Sequence, residues 1–377
     1  MTARPKEVRT VKQIKGDRSL FPYPSAWYCI DDVRTLAPGE LKHFSLCGED
    51  IVYFRTESGE LAAMEAYCPH MGANFGHGGK VIGEHVQCPF HGFEFGTDGR
   101  CAKVPESKGV PKLKARTLHT DLVMDHLFVW YDYLGRPPSF RLQLWDHPLV
   151  STLSTSITMR THPQELAENG SDLRHFRFLH HNNFRMLRAE ADPERPHVFR
   201  TTLKGKIFEE SSGRQFQRDL LAAEVDIAMN GLGFLAARCD LYKVGVVNQY
   251  LACGTPLNEH ETVLRIITAF EEIQDFGTFV PGFRRLPGSG WLQSKMQRPV
   301  AKLFTKLMFD DVVAVQLEDR DVWHHKIHRS ERKGLDRSVV QFRKWAEQFY
   351  PNGDPYLSLA EADALPDVSL EAVRASA

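Results

Sequence analysis

Cys68-Pro69-His70 and Cys88-Pro89-Phe90-His91 each offer one thiolate and one imidazole, with seventeen residues between His70 and Cys88. Two Cys and two His on two short loops are a ligand set for a [2Fe–2S] centre in which imidazoles replace thiolates on one iron. Such a centre moves one electron at a time. The same residues also suit zinc, but common zinc patterns keep like ligands together, as Cys-x-x-Cys with His-x-x-x-His. Here each loop mixes them. Proline follows each Cys and fixes the turn. Gly72, Gly76, Gly78, Gly79 and Gly92 let backbone pass close to inorganic sulfur and donate N–H bonds to it.

A second constellation lies in residues 168–181, which hold Asn169, Asp172, His175, His180 and His181. Two His with a distant carboxylate make a facial triad for non-haem Fe(II) with open positions. Alone, His at this spacing more often marks a solvated helix face; behind a redox cluster it gains weight. On a helix Asp172 and His175 share a face, so Asp172 is placed to hydrogen-bond the outer nitrogen of His175 and fix its tautomer. His175 and His180 are five apart, about 140° around a regular helix. The spacing therefore predicts a π-bulge or a break between them. Asn169 falls near the face of His180, toward the open side of the metal, and His181 reads as structural.

The elements that must carry these groups fall into two halves. Residues 20–140 read as β structure: a hairpin from 51–55 and 61–67 around Glu57-Ser58-Gly59, closing strands at 122–124 and 127–131, then linker chemistry at Gly135-Arg136-Pro137-Pro138. Beyond it, 163–188 reads as helical, 197–272 as several strands, 299–328 as helix and 337–349 as a last helix before an acidic tail. The boundaries expected are 20–140, 141–355 and a tail at 356–377. The length of 377 residues, 42% hydrophobic and 25% charged, suits an ordinary protein of two or three domains. A net charge of −1 gives no case for nucleic acid. Cys29, Cys47, Cys101, Cys239 and Cys253 read as buried small hydrophobes. The N-terminus is polar, without an apolar leader, and no long apolar run follows, so the expected location is cytoplasmic.

These motifs resemble those of the Rieske non-haem iron oxygenases of the single-subunit kind. Asp172-x-x-His175-x-x-x-x-His180 is similar to their mononuclear iron motif. Glu318-Asp319-Arg320-Asp321-Val322-Trp323 resembles the segment in which a ligand Asp stands four residues before a Trp, which points to Asp319, with Glu318, Asp321 and Asp311 as rivals. High-potential respiratory Rieske proteins carry an extra Cys pair where this chain has Ala73 and Phe90; the resemblance is to the oxygenase type. One departure is Phe93, where the family usually has Trp. Segments 164–172 and 342–350 are similar to the cholesterol 7-desaturases, whose bacterial relatives include 3-ketosteroid 9α-hydroxylases. The animal enzymes carry an apolar anchor before the Rieske domain; none is read in this sequence, so membrane attachment is not expected to carry over.

The resemblance implies an α+β chain, an all-β Rieske domain joined to a helix-grip catalytic domain. It implies a cluster on Cys68, His70, Cys88 and His91, and Fe(II) on His175, His180 and Asp319. It also implies a head-to-tail homotrimer in which Asp172 bridges a cluster His of one subunit and His175 of the next. Electrons would come from NAD(P)H through a ferredoxin or ferredoxin reductase, and O2 would be activated for hydroxylation, desaturation or demethylation. No nicotinamide or flavin motif appears; Gly231-Leu232-Gly233 reads as a turn or bulge. An oxidative cyclase or amine oxygenase of secondary metabolism shares every ligand, and a Rieske electron carrier needs only the first half. Arg284, Arg285, Lys295, Arg298, Lys302 and Lys306, interleaved with Leu303, Phe304, Leu307, Met308 and Phe309, read as a solvated face over a core stripe, or as a docking surface for an acidic ferredoxin or a membrane. The expected substrate is sterol-like or another large hydrophobic molecule, in a cavity lined by Phe234, Leu235, Ile266 and Phe270.

Overall fold

A computed structural model describes residues 18–20, 23–206, 222–326 (without 244, 260, 274–275 and 279–281), 336–353 and 356–358. The first half is built of short antiparallel strands. Leu41–Leu46, Glu49–Arg55, Leu61–Glu65 and Thr117–Leu118 form one sheet. The predicted hairpin is there, with Ile51 opposite Glu65 and Arg55 opposite Leu61. Gly59 turns it at a φ of 101°, a value that favours glycine. Thr120–Val123 and His126–Tyr131 pair across Met124 and Asp125, both at positive φ, as tight primed hairpin turns require. Ala26–Asp32 completes that sheet.

A small sheet of Lys80–Ile82, His85–Gln87, Glu94–Phe95 and Cys101–Lys103 lies between and beyond the two Cys/His loops. Val52, Phe54, Met64, Phe75, Val86 and Phe95 pack beneath those loops together with Cys68 and Cys88. The loops therefore stand on a closed apolar base.

The second half is a seven-stranded antiparallel sheet in the order Leu149–Met159, Thr262–Glu271, Val246–Pro256, Phe234–Leu241, Ala222–Asn230, Val198–Lys206, Asn183–Ala191. The last strand corrects the reading of 163–188 as helical. Phe184 and Met186 turn inward while Asn183, Arg185 and Leu187 are exposed. That is a period of two, not 3.6, and a bulge after Met186 blurs it. Only Pro163–Glu168 (α1) and Leu173–Phe178 (α2) are α-helical there, joined by a 3-10 turn at Asn169–Ser171.

Ser289–His325 (α3) is 37 residues long and runs across the sheet; it begins ten residues before the expected start at Pro299, which lies inside it. Phe304 meets Phe270 with ring centroids 6.1 Å apart. Arg337–Ala346 (α4) packs Phe342 and Trp345 on Phe199, at 5.6 and 5.5 Å. None of the described helices is long and apolar enough to cross a membrane.

The halves share one core. Trp27, Tyr28, Phe128 and Trp130 join Phe234, Leu251 and Ile267 in it. Thr255 Oγ1 donates to the Cys29 carbonyl at 2.7 Å, and Trp27 Nε1 to the Phe140 carbonyl at 2.8 Å. Tyr356–Ser358, in the stretch read as tail, pairs with Arg18–Leu20; 359–377 lie outside the described residues.

Candidate metal centres and the cavity between sheet and long helix

The two Cys/His loops repeat one hydrogen-bond pattern. Cys68 N–H donates to Ala73 O and Gly72 N–H to Cys68 O; Cys88 N–H donates to Phe93 O and Gly92 N–H to Cys88 O, all at 2.8–3.1 Å. Gly72 and Gly92, each four residues after its Cys, sit at φ 74° and 70°, where a side chain would strain the turn. The thiols are buried and in contact with one another. Burial pushes the Cys68 thiol up to about 11, against the backbone N–H groups of His70 and Met71 that pull it down. Those N–H groups are aimed at sulfur.

The rings of His70 and His91 are 4.8 Å apart and exposed. Thiol thus lies with thiol and imidazole with imidazole, which fits two irons that each take a like pair, as in a [2Fe–2S] Rieske centre. Phe93 stacks flat on His70, centroids 4.4 Å apart and planes 6° apart. Met71 and Phe90 stand exposed beside the imidazoles, at 65% and 61%.

His175, His180 and Asp319 converge in the second half; their ligand atoms all lie within 4.8 Å of one another. Each is placed by a different element. His175 is on α2. Leu179 closes that helix with a bond from its N–H to the His175 carbonyl, and His180 lies past its end. His181 follows at φ 53° and is exposed. The break demanded by the five-residue spacing is therefore a helix end, and the two rings meet edge to face, 5.1 Å between centroids and 83° between planes. Asp319 projects from α3, four residues before buried Trp323. His180 and Asp319 are only 3% and 4% exposed. Two imidazoles and a carboxylate, buried and convergent, fit non-haem Fe(II).

The orienting bonds differ from expectation. His175 Nδ1 donates to the backbone carbonyl of Asp172 at 2.6 Å, while the Asp172 carboxylate oxygen nearest the ring is 4.0 Å away. The reason is local. Asp172 is extended, at φ −93° and ψ 97°, and its Oδ1 caps α2 by accepting from the N–H groups of Arg174 and His175. As an N-cap it lies outside the helix, so the shared-face argument does not apply to it.

Asn169 Nδ2 donates to Asp319 Oδ1 at 3.0 Å. Glu318, a rival for the ligand role, instead accepts from His180 Nδ1 at 2.8 Å, while Asp319 Oδ2 lies 3.2 Å from Nε2 of the same ring. Asp321 is exposed against Arg320, and the side chain of Asp311 lies outside the described residues. Burial lowers the affinity of both imidazoles for protons. It prevails at His175; at His180 the hydrogen bonds and charges of Asp319 and Glu318 outweigh it and the net shift is upward. The Glu318 contact was the part that sequence reasoning missed. Its signal was the adjacent Glu-Asp pair, which on a helix diverges by about 100°.

A cavity of about 200 Å³ opens over this triad. Phe176, Phe184, Ile227, Leu235, Tyr250 and Val315 form much of its wall. No Arg or Lys does, among the described residues. Of the four residues expected there, only Leu235 lines it. Phe234 is on the opposite face of the sheet, against Phe128 at 5.3 Å. Ile266 and Phe270 are buried in the packing beneath α3.

Lys302 and Lys306 border a separate groove of about 890 Å³ with Arg34, while Arg298 is paired with Glu272 at 2.9 Å. Within the interleaved stripe Leu303 is 57% exposed, Phe304 and Met308 are packed inward, and the side chain of Leu307 lies outside the described residues.

Residues 26–114 match the model of the Rieske [2Fe-2S] domain, and 129–278 that of the 3-ketosteroid 9alpha-hydroxylase C-terminal domain. The chain is 28% identical over 362 residues to a cholesterol 7-desaturase of Ciona intestinalis, covering 90% of this chain and 72% of that one. It is 26% identical over 363 residues to the oxygenase component of a 3-ketosteroid-9-alpha-monooxygenase of Mycolicibacterium smegmatis, covering 92% and 85%. Among solved structures, dicamba monooxygenase bound to dicamba superposes with a TM-score of 0.58 at 18% identity, covering 88% of this chain and 98% of that one. That last likeness concerns the fold.

Proposed function

The chain belongs to the Rieske non-haem iron oxygenases, and we propose that it oxidises a neutral, sterol-like or comparable large hydrophobic molecule. In this reading Cys68, His70, Cys88 and His91 hold the cluster, and His175, His180 and Asp319 hold the mononuclear iron. When bound, the cluster supplies single electrons and the iron activates dioxygen. The protein's own contribution is position. Glu318 and the Asp172 carbonyl turn the two imidazoles, Asn169 steadies Asp319, and the apolar wall holds substrate while excluding water.

One observation carries the substrate class: a mainly apolar cavity on the triad with no cationic side chain in its described wall. A carboxylate taken from water into it would lose hydration without gaining a partner. The buried triad also speaks for an oxygenase over a simple electron carrier. The relatives named for cholesterol and 3-ketosteroids point to the same class. Electrons come from a ferredoxin or ferredoxin reductase. A head-to-tail trimer is the proposed assembly, with Asp172 as the bridge. The exposed Met71 and Phe90 beside the cluster histidines, and Phe178, 78% exposed beside α2's end, are apolar surfaces suited to such a contact.

The test is substrate-stimulated NAD(P)H oxidation with a surrogate reductase, products being followed by mass spectrometry across sterols, ketosteroids and small aromatic acids. Iron should number three per chain, falling to two with the Rieske spectrum intact in Asp319→Ala. Coupled turnover of a carboxylated aromatic, with no response to any polycycle, would overturn the substrate class. Full iron in Asp319→Ala would overturn the ligand assignment.

A further inference from the structure

Among the residues lining the chamber over the triad, Tyr250 carries a fully buried side-chain polar atom that the described protein leaves unpaired. Strand alternation aims Asn248, Tyr250 and Ala252 of the 246–256 strand at the cavity. Asn248 is already engaged: its Nδ2 donates to Thr268 Oγ1 at 2.7 Å and to the Ala269 carbonyl at 3.0 Å. Asn169 is engaged by Asp319. The Tyr250 hydroxyl is buried and has no hydrogen-bond partner among the described residues. Buried hydroxyls are nearly always paired, because an unpaired one forfeits its hydration without return. Burial first, then the charge of Asp319, holds this phenol well above its ordinary value, so it stays protonated and able to donate.

We propose that Tyr250 determines specificity by donating a hydrogen bond to a carbonyl or hydroxyl oxygen of the substrate, selecting oxygenated polycycles over their deoxy counterparts. This rests on the neutral-polycycle reading above. Both Tyr250 and the triad line one chamber of about 200 Å³. The bonded oxygen and the carbon attacked therefore lie within that same chamber. A site built to pair a substrate oxygen discriminates strongly against an analogue lacking it, because the protein group is then left unpaired.

The test uses the full-length holoenzyme and measures dissociation constants by tryptophan fluorescence, to which Trp323 in the chamber wall contributes. The probes are a 3-ketosteroid, a 3-hydroxysterol and the matching 3-deoxy hydrocarbon. Wild type should prefer an oxygenated probe over the hydrocarbon by about tenfold, and Tyr250→Phe should reduce that preference to about twofold or less. Affinity for the hydrocarbon and the Rieske absorbance should not change. The Tm of ligand-free Tyr250→Phe should equal or exceed that of wild type, since no protein hydrogen bond is lost. Undiminished discrimination in Tyr250→Phe overturns the inference alone. So does a lowered Tm, which would give the hydroxyl a partner inside the protein. Binding of none of the three probes overturns the neutral-polycycle reading and this inference with it.

Discussion

Replacing Glu318 by Gln and by Ala separates two things that one carboxylate does for His180. Glu318 Oε2 meets Nδ1 at 2.8 Å, and Asp319 Oδ2 lies 3.2 Å from Nε2. With Nδ1–H held by Glu318, the ring is fixed in the tautomer that offers Nε2 to a metal. Partners of this kind are typically worth about 10–100-fold in metal affinity, or roughly 1.4–2.8 kcal/mol. The Glu318 side chain is 48% exposed, so solvent screens its charge and the hydrogen bond carries most of the effect. Glu318→Gln keeps an acceptor at the same reach and should weaken iron binding only a few-fold. Glu318→Ala removes it and should cost about tenfold, toward the lower end of that range. Protein equilibrated against graded Fe(II) in a chelator buffer reads this directly, with cluster absorbance as the internal standard for folded chain. Wild-type iron affinity in Glu318→Ala would refute the orienting role. Equal losses in the two variants would assign the effect to charge.

Three further outcomes are expected. Cys68→Ser or His91→Ala should abolish the EPR signature of a reduced Rieske centre, and a colourless wild-type protein holding only zinc would overturn the cluster. Asp172→Asn keeps a capping side chain and leaves the carbonyl that holds His175, so both metals should remain; the reduced cluster should nevertheless fail to reoxidise with substrate and O2, and wild-type turnover would exclude the bridge. Asp32, though burial alone would raise it, is held at about 2 by hydrogen bonds from Arg34. Its folded value lies below the ordinary 3.8, so its stabilisation is present above that pH and is lost as pH falls toward 2. It amounts to about 2 kcal/mol, and the acid limb of the Tm profile in Asp32→Asn should flatten accordingly.

What the sequence made legible was local. Ligand types at short spacing marked both candidate metal-binding segments, and a five-residue interval between His175 and His180 was enough to read an interruption that the chain makes by ending α2. The hairpin expected from 51–55 and 61–67 followed from alternation around one glycine turn, and pairs from Ile51–Glu65 to Arg55–Leu61. Where the reading failed, a second element intervened. Arg185 between Phe184 and Met186 signals an edge strand only once a neighbour at 198–206 pairs with it. The Asp172 side chain turned from a partner of His175 into a cap because the helix starts one residue later. Phe234, Ile266 and Phe270 are as apolar as true wall residues, and only sheet parity and the path of α3 decide which of them a substrate could touch.

The same non-local assembly sharpens the case for a neutral substrate. Two cations approach the helix that precedes Asn169, and both are already committed there. Lys326, beyond the end of α3, is paired with Glu165, whose side chain is 3% exposed. Arg343 of α4 grips both oxygens of Glu168, which is also buried. Withdrawing either cation toward an incoming carboxylate would strand a buried glutamate, a loss comparable to the gain. These pairs dock α1 against α3's end and α4, and so place Asn169 on Asp319. An anionic ligand could find a cation here only by loosening the contacts that shape the triad. An uncharged molecule makes no such demand, and the chamber's mainly apolar wall, with uncharged polar groups such as Asn248, Tyr250 and Gln316, matches it.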